Sequence, residues 1–299
     1  MKAHPQAGIL LPPPPAARYL EFALRPGTAQ PAAKSALAAI LDGDARIDGT
    51  SAVVGLGASL VELLDLHIAG LRVFPILSAS GLEIPSTPHA LWIWLRGEDR
   101  GELVHRTRRI VAALAYAFTV SQITDAFVYD GGRDLTGYED GTENPKSEAA
   151  TEAAIVGADA SLGPPGSSFA AVQLWQHDLA RFSAMDRRQQ DFAVGRNRVT
   201  NEELADAPPS AHVKRTAQES FDPAAFVVRR SMPWSDSLRE GLMFVAFGAT
   251  LDSFERQLRR MAGLDDGIVD GLFAFTRPLS GSYYWCPPVV GGGIQFETS

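Results

Sequence analysis

Two spacings of apolar residues organise the first half of the chain. Leu20, Phe22 and Leu24 alternate with Glu21 and Ala23, which predicts a half-buried strand. Apolar residues three or four positions apart predict helices over residues 34–41 and 102–117. Short apolar runs predict the other strands of this half, over residues 51–57, 90–95 and 123–129. Strands and helices therefore follow one another in a β-α-β-β-α-β order.

The second half of the chain repeats this plan. Strands are predicted over residues 169–176, 226–228, 242–247 and 283–285. Asp252 is predicted to cap a helix that runs to Met261. The order fits an α+β fold of two ferredoxin-like (split β-α-β) modules with antiparallel sheets and helices. The stretch 143–166 is rich in Ala, Gly, Pro, Ser and acidic residues, so we assign residues 1–145 and 146–299 to the two modules.

The composition narrows the classes of function. The 299 residues correspond to two domains of roughly 150 residues each. A net charge of -8 disfavours nucleic-acid binding, which needs a basic surface. No apolar run approaches the length of about 18 residues that a membrane helix needs, and the apolar residues 8–11 are too few for a secretory signal. We therefore expect a cytoplasmic protein that contacts neither nucleic acid nor membrane.

The most informative stretch is residues 137–145, Gly-Tyr-Glu-Asp-Gly-Thr-Glu-Asn-Pro. Glycines allow positive φ angles and a close approach of the backbone to a ligand, and Asn-Pro is typical of a turn. A loop of this composition is by itself most often a surface turn. The nine-residue string as a whole is far more specific.

This string resembles the Gly-Phe-x-Asp-Gly-Thr-x-Asn-Pro signature of the dye-decolourising peroxidases, with Tyr138 in the place of Phe. Four other segments resemble family patterns in the same order along the chain: 195–196, 210–215, 227–234 and 281–285. The short form without a secretion signal is similar to the intracellular group called type B. The resemblance implies a haem b peroxidase, with the haem in the C-terminal module. Its substrates would be hydrogen peroxide and organic donors such as dyes and phenols.

The resemblance places one histidine under the iron. Among six histidines, only His212 lies in the matching segment, and peroxidases bind iron through a neutral imidazole. The other ring nitrogen of such a ligand usually donates to a carboxylate or a carbonyl. Asp270 is the candidate that the family pattern indicates, and Asp265 and Asp266 are the alternatives. Haem would be non-covalent, because the single cysteine, Cys286, is not part of a haem-attachment motif and is expected to be a buried apolar residue.

On the peroxide side, the resemblance indicates Asp140 and Arg229. Arg229 and Arg230 are adjacent and point to opposite faces of a strand, so only one can face the haem. The family pattern selects Arg229, and Ser231 lies on the same face and is assigned with it to catalysis. The remaining predicted haem contacts are Gly141, Thr142, Glu143 and Arg196, the last of these toward a propionate.

Several alternatives stay open from the sequence. They are a haem-handling or iron-release (deferrochelatase-like) protein, a chlorite-dismutase-like enzyme, against which the Gly-x-x-Asp-Gly loop argues, and an α+β binding module without haem. Trp234 and Tyr283 could relay electrons, although core packing is the more common role of aromatic residues. The resemblance implies a homo-oligomer, a dimer or larger. It also raises encapsulin cargo, for which the tail 291–299 is too short to indicate a docking peptide.

Overall fold

A computed structural model describes residues 2–79, 81–158 and 162–296. Its fold is mixed α and β with antiparallel sheets. The strands of the first half are β1 (Ala16–Leu24), β2 (Ala52–Leu56), β3 (Leu77–Ala79), β4 (Leu82–Ile84), β5 (Leu91–Gly97) and β6 (Phe118–Phe127). Its helices are α1 (Gln30–Ala39), α2 (Ala58–Leu63) and α3 (Arg100–Leu114). Helix α3 begins where Asp99 accepts a hydrogen bond from the Glu102 amide at 2.9 Å.

The second half has shorter elements and longer loops. Its strands are β7 (Ser168–His177), β8 (Val228–Arg229), β9 (Met232–Ser235), β10 (Glu240–Gly248), β11 (Thr276–Pro278), β12 (Ser282–Cys286), β13 (Val289–Val290) and β14 (Gly293–Ile294). Its helices are α4 (Ser147–Ala154), α5 (Leu179–Ala184), α6 (Arg187–Val194), α7 (His212–Arg215) and α8 (Asp252–Met261). No helix within the described ranges is long and apolar enough to cross a membrane.

Eight strands form a closed ring. The first half contributes the order β2-β5-β1-β6, and the second half contributes β12-β7-β10-β9, all antiparallel. Single residue pairs join the halves, Trp285 with Leu56 and Ala126 with Trp234. Residues in a barrel alternate between an inner and an outer face. On the outer face of the second half, side chains of β7 and β10 contact the helices and loops that form the site.

Aromatic side chains fill the inside of the ring. They come from β1, β5, β10 and β12, and all are almost fully buried: Tyr19, Trp92, Trp94, Phe247 and Tyr284. Full burial of each large apolar side chain contributes about 1.5–3 kcal/mol. Cys286 lies in this interior, which confirms its predicted burial, and burial raises the pKa of its thiol.

Most predicted elements are present, with shifted ends. Asp252 was predicted to be the helix cap, and this is wrong: it is the first residue of α8, and its amide donates to Thr250 Oγ1 at 3.1 Å. Helices α4 to α7 were missed, because short helices in a polar loop region have little apolar periodicity. One of them had a usable signal, the capping box of Asp186 and Gln189 at the start of α6.

Candidate active site

The site is a cavity on the outer face of β7 and β10. Helices α7 and α8 and the loop before residue 141 complete its walls. The apolar lining consists of Trp175, Val194, Leu242, Phe244, Phe254, Leu258, Met261, Leu272 and Phe275. The charged and titratable residues of the lining are Asp134, Tyr138, Glu139, Asp140, His177, His212 and Arg229.

His212 is held from behind by Asp270, as the sequence predicted. Its Nδ1 lies 2.8 Å from Asp270 Oδ2, and the Asp270 side chain is fully buried. The other oxygen of Asp270 accepts a hydrogen bond from the Leu272 amide at 2.9 Å. Because a carboxylate oxygen can only accept, this hydrogen bond requires the proton on Nδ1, and Nε2 is then the ring nitrogen available to a ligand in the cavity. The alternatives for this partner are used elsewhere: Asp266 pairs with Arg215, and Asp265 lies near Arg259.

Close backbone packing fixes the His212 segment. The Gly271 amide donates to the Ser210 carbonyl at 2.7 Å, which ties the residues before His212 to those after Asp270. A Cβ at Gly271 would lie 2.9 Å from the Ala193 backbone. Only glycine lets α6 approach this closely. The position of Asp270, the partner of His212, is therefore fixed by the packing of its own segment against α6 and against the residues before His212.

Asp140 and Arg229 form a pair in the same cavity. Arg229 Nη1 lies 3.9 Å from Asp140 Oδ1, which is an ion-pair distance but too long for a hydrogen bond. The two side chains are 16% and 23% exposed. Both groups can therefore still donate to, or accept from, a small polar molecule placed beside them.

Arg230 points away from the cavity. Its guanidinium donates to the Ile9 and Leu10 carbonyls at 3.2 and 2.6 Å. Burial, together with the nearby Arg96, lowers the pKa of Arg230 to about 10. The predicted alternation of the two arginines is thus confirmed, with Arg229 as the one that faces the cavity.

The loop that carries Asp140 is shaped by glycine and fastened by two side chains. Gly141 has a φ of +77°, and a Cβ there would lie 2.6 Å from Asn144 Nδ2. Asn144 binds the backbone of Arg229 twice, at 2.8 Å to its amide and 3.0 Å to its carbonyl. Arg133 donates to the Gly137 carbonyl and pairs with Glu139, which fastens the two ends of this stretch of the loop to one side chain.

The other predicted site residues lie around the cavity. Ser231 and Gly141 line a neighbouring cavity that shares Asp140 and Arg229 with the main one. Ser231 Oγ is buried, and no described residue forms a hydrogen bond with it. Thr142, Glu143 and Arg196 line another adjoining cavity, together with His212.

Arg196 is already paired with protein groups. It donates to the Asn201 carbonyl at 2.8 Å, forms a short ion pair with Glu143, and lies 3.7 Å from Glu203. Thr142 Oγ1 accepts a hydrogen bond from Asn201 at 3.0 Å.

The two aromatic residues considered as electron relays belong to the packed interior. Trp234 is 3% exposed, and its indole N–H donates to the Trp175 carbonyl at 2.9 Å. Tyr283 is 3% exposed and packs against the rings of Phe74 and Phe254.

One polar pair in the cavity wall had no signal in the sequence. His177 Nε2 lies 3.0 Å from Asp134 Oδ1, and His177 Nδ1 lies 2.7 Å from Thr276 Oγ1. Burial opposes ionisation of Asp134, but hydrogen bonds from His177 and Thr136 hold the pKa of its carboxyl below the usual value. The pair joins β7 to the loop before Asp140, and residues 43 positions apart give no pattern that predicts such a contact.

Comparisons with known proteins define the family. A model of the C-terminal part of Dyp-type peroxidases matches residues 131–291. A dye-decolorizing peroxidase of Brevibacterium linens is 30% identical over 295 residues, which covers 93% of this chain and 79% of that protein. This chain belongs to the Dyp-type peroxidase family.

Solved structures agree with this assignment. DyPB from Rhodococcus jostii RHA1 superposes with a TM-score of 0.85 at 28% identity, covering 95% of each chain. A dye-decolorizing protein from V. cholerae gives a TM-score of 0.81 at 28% identity, covering 94% of this chain and 96% of that one. A variant of the Rhodococcus protein in complex with heme gives a TM-score of 0.85 at 28% identity, covering 95% of this chain and 96% of that one.

Proposed function

We propose that this protein is a haem b peroxidase that reduces hydrogen peroxide and oxidises organic donors such as dyes and phenols. One observation carries the proposal. The His212 imidazole, hydrogen-bonded to the buried Asp270 carboxylate, lines the same cavity as the ion pair of Asp140 and Arg229. Membership of the Dyp-type peroxidase family supports it. So does the heme in the structure of the Rhodococcus relative.

The residues present fit a non-covalent haem. The walls are mainly aromatic and aliphatic, as a porphyrin requires, and within the described part of the chain nothing forms a hydrogen bond with Nε2 of His212. Cys286 is buried inside the ring of strands and cannot attach a cofactor in this cavity. We propose His212 as the iron ligand and Asp270 as the group that orients it and makes its imidazole more electron-rich.

In the proposed reaction, bound haem supplies the iron at which the peroxide O–O bond is cleaved and holds the oxidising equivalents. Asp140 takes a proton from one peroxide oxygen and returns it to the other as that oxygen leaves as water. The guanidinium of Arg229 donates hydrogen bonds to the charge that develops on the leaving oxygen. Because Asp140 and Arg229 are 3.9 Å apart and not hydrogen-bonded to each other, both side chains can form hydrogen bonds with a peroxide molecule. Overall, one peroxide, two electrons and two protons give two waters.

Further contacts to the cofactor and to peroxide are proposed around this core. The unpartnered Ser231 Oγ is placed to hold a peroxide or water molecule beside Arg229 in the neighbouring cavity. Gly141 gives the backbone a close approach to the cofactor. Arg196, Thr142 and Glu143 form the polar edge of the site, where Arg196 would exchange an acidic partner for a haem propionate.

We also infer that each half is a ferredoxin-like module, residues 1–145 and 146–299, with haem in the second. When the four ring strands of each half are numbered 1 to 4 in chain order, β2-β5-β1-β6 and β9-β10-β7-β12 both read 2-3-1-4 around the ring. This shared strand order supports the division. The loop before residue 145 nevertheless lines the cavity, so the first module contributes to the site.

A homo-oligomer in the cytoplasm is proposed from the family resemblance. Light scattering of the purified protein would give the number of subunits. The encapsulin-cargo hypothesis concerns the C-terminal tail, of which residues 297–299 lie outside the described residues, so the structure does not test it.

The test of the proposed function is the absorption spectrum of the purified protein together with peroxide-dependent dye oxidation. A Soret band and catalytic turnover are expected. A protein without the band would be a binding module of another kind. A protein with the band but without turnover would favour the haem-handling alternative, and the dependence of turnover on Asp140 and Arg229 separates the two.

A further inference from the structure

Tyr138 is the residue at which this chain departs from its family signature, which has Phe there. Its ring lies in the wall of the main cavity and is 5% exposed. The ring packs edge-on against Phe182, with 6.3 Å between the centroids. A phenylalanine would make the same packing contacts, so the hydroxyl is the feature that needs an explanation.

The hydroxyl of Tyr138 donates a short hydrogen bond to Asp191 Oδ1 on α6. Asp191 is 8% exposed, and the same oxygen accepts the Arg198 amide at 3.2 Å. Burial raises the pKa of the Tyr138 phenol, and the Asp191 carboxylate raises it further. The phenol is therefore protonated in the resting protein, with a base already in contact with its proton.

This arrangement suits a one-electron oxidation. A phenol that loses an electron becomes a very strong acid, and its oxidation is easy only where a base takes the proton at the same time. Asp191 is within hydrogen-bond reach, which is the geometric requirement for such a transfer. A phenylalanine at this position could do neither step.

We propose that Tyr138 is a redox-active residue that gives an electron to the peroxide-oxidised cofactor while Asp191 receives its proton. The proposal rests on the peroxidase function proposed above. The Tyr138 O–H bond breaks and an O–H bond forms on Asp191, which leaves a neutral phenoxyl radical beside a neutral carboxylic acid. An organic donor then returns the electron, and the proton goes back from Asp191. One oxidising equivalent is thereby moved from the cofactor into the cavity wall.

Electron paramagnetic resonance of protein frozen shortly after mixing with peroxide tests the proposal. The holoprotein should give a tyrosyl signal whose hyperfine splitting narrows when ring-deuterated tyrosine is incorporated. Tyr138→Phe should lose this signal while keeping its Soret band. Asp191→Asn keeps the hydrogen-bond acceptor but removes the base, so the radical should form more slowly and in lower yield.

Tyr283→Phe is the matched control. Tyr283 is also buried and also donates to a carboxylate, Glu255, at 3.2 Å, but it is not among the residues that line the cavity. This variant should keep the tyrosyl signal.

An unchanged signal in Tyr138→Phe, or a signal lost only in Tyr283→Phe, would overturn the assignment. A wild-type protein that reacts with peroxide but gives no tyrosyl signal would overturn it too and leave the peroxidase function intact. A wild-type protein that does not react with peroxide would overturn both the Tyr138 proposal and the proposed peroxidase function.

Discussion

Arg229 and Arg230 are neighbours in sequence with opposite surroundings. Arg229 faces the cavity beside Asp140, whereas Arg230 is bound to the carbonyls of Ile9 and Leu10. The same side chain therefore lines the cavity at one position and anchors the N-terminal segment at the next.

Replacing Arg229 by Leu should slow the reaction with peroxide by on the order of 100- to 1,000-fold, because one donor to the developing charge is lost. Stopped-flow absorbance after mixing with peroxide measures this rate. Arg230→Leu is the control and should lower thermal stability with little change in rate. A rate that depends on Arg230 and not on Arg229 would contradict the proposed site.

Asp140→Asn separates proton transfer from positioning. The amide keeps the size and polarity of the side chain but cannot act as a base, so the reaction with peroxide should slow by at least about tenfold, or about 1.4 kcal/mol of barrier. Haem content should stay normal. If the Asn variant reacts at the native rate while Arg229→Leu does not, arginine carries the chemistry and Asp140 only orders the loop.

The residues of the site were predictable where a pattern or a family motif marked them. Strand alternation separated Arg229 from Arg230, and the motif located the buried partner of His212 at Asp270. The Asp134–His177 pair could not be predicted, because it depends on how a loop docks on β7 in three dimensions. The same holds for the hydrogen bond from Tyr138 to Asp191.

At the scale of elements, β1 carries a charged group into the interior of the ring. Glu21 is 2% exposed and accepts a hydrogen bond from the Tyr284 hydroxyl at 3.0 Å. Burial raises the pKa of its carboxyl to about 7, and the bond from Tyr284 opposes this only in part. Strand periodicity predicted the apolar residues of β1 but not the environment of Glu21, because the sequence does not show that the sheet closes over it.

The pH dependence of stability follows from this shift. Between pH 4.5 and about 7 the folded protein holds the Glu21 proton more tightly than the unfolded chain, so the free energy of unfolding should fall as pH rises and level off above that range. The upper bound of this loss is about 3 kcal/mol.

Glu21→Gln should remove most of this slope, as measured by denaturant unfolding at pH 5 and pH 8. The control is Glu83→Gln, an exposed glutamate on β4, which should keep the slope. Equal slopes in wild type and Glu21→Gln would show that Glu21 does not titrate in this range.

At the scale of the whole molecule, the cavity links cofactor binding to folding. A ligand that binds only the folded state stabilises it, by about 2.7 kcal/mol at a hundredfold excess over Kd. Adding haem to the cofactor-free protein should therefore raise Tm.

His212→Ala should lose both this gain and the retained haem, because the only proposed protein bond to iron is gone. The cofactor-free variant should melt close to the cofactor-free wild type. His105→Ala, an exposed position on α3, should behave as wild type. A normal Soret band and a full rise in Tm in His212→Ala would rule out the ligand assignment.

The double hydrogen bond from Asn144 to the Arg229 backbone joins segments 85 residues apart. Strand β10 also holds Arg229 through its pairing with Ala246, so what the Asn144 contact sets is the distance between Arg229 and the loop carrying Asp140. A refolding chain can recover its helices and strands, and much of its apolar burial, while its two peroxide-side groups are still apart. If the proposed roles of Asp140 and Arg229 hold, peroxide reactivity should require this contact between the two segments as well as bound haem.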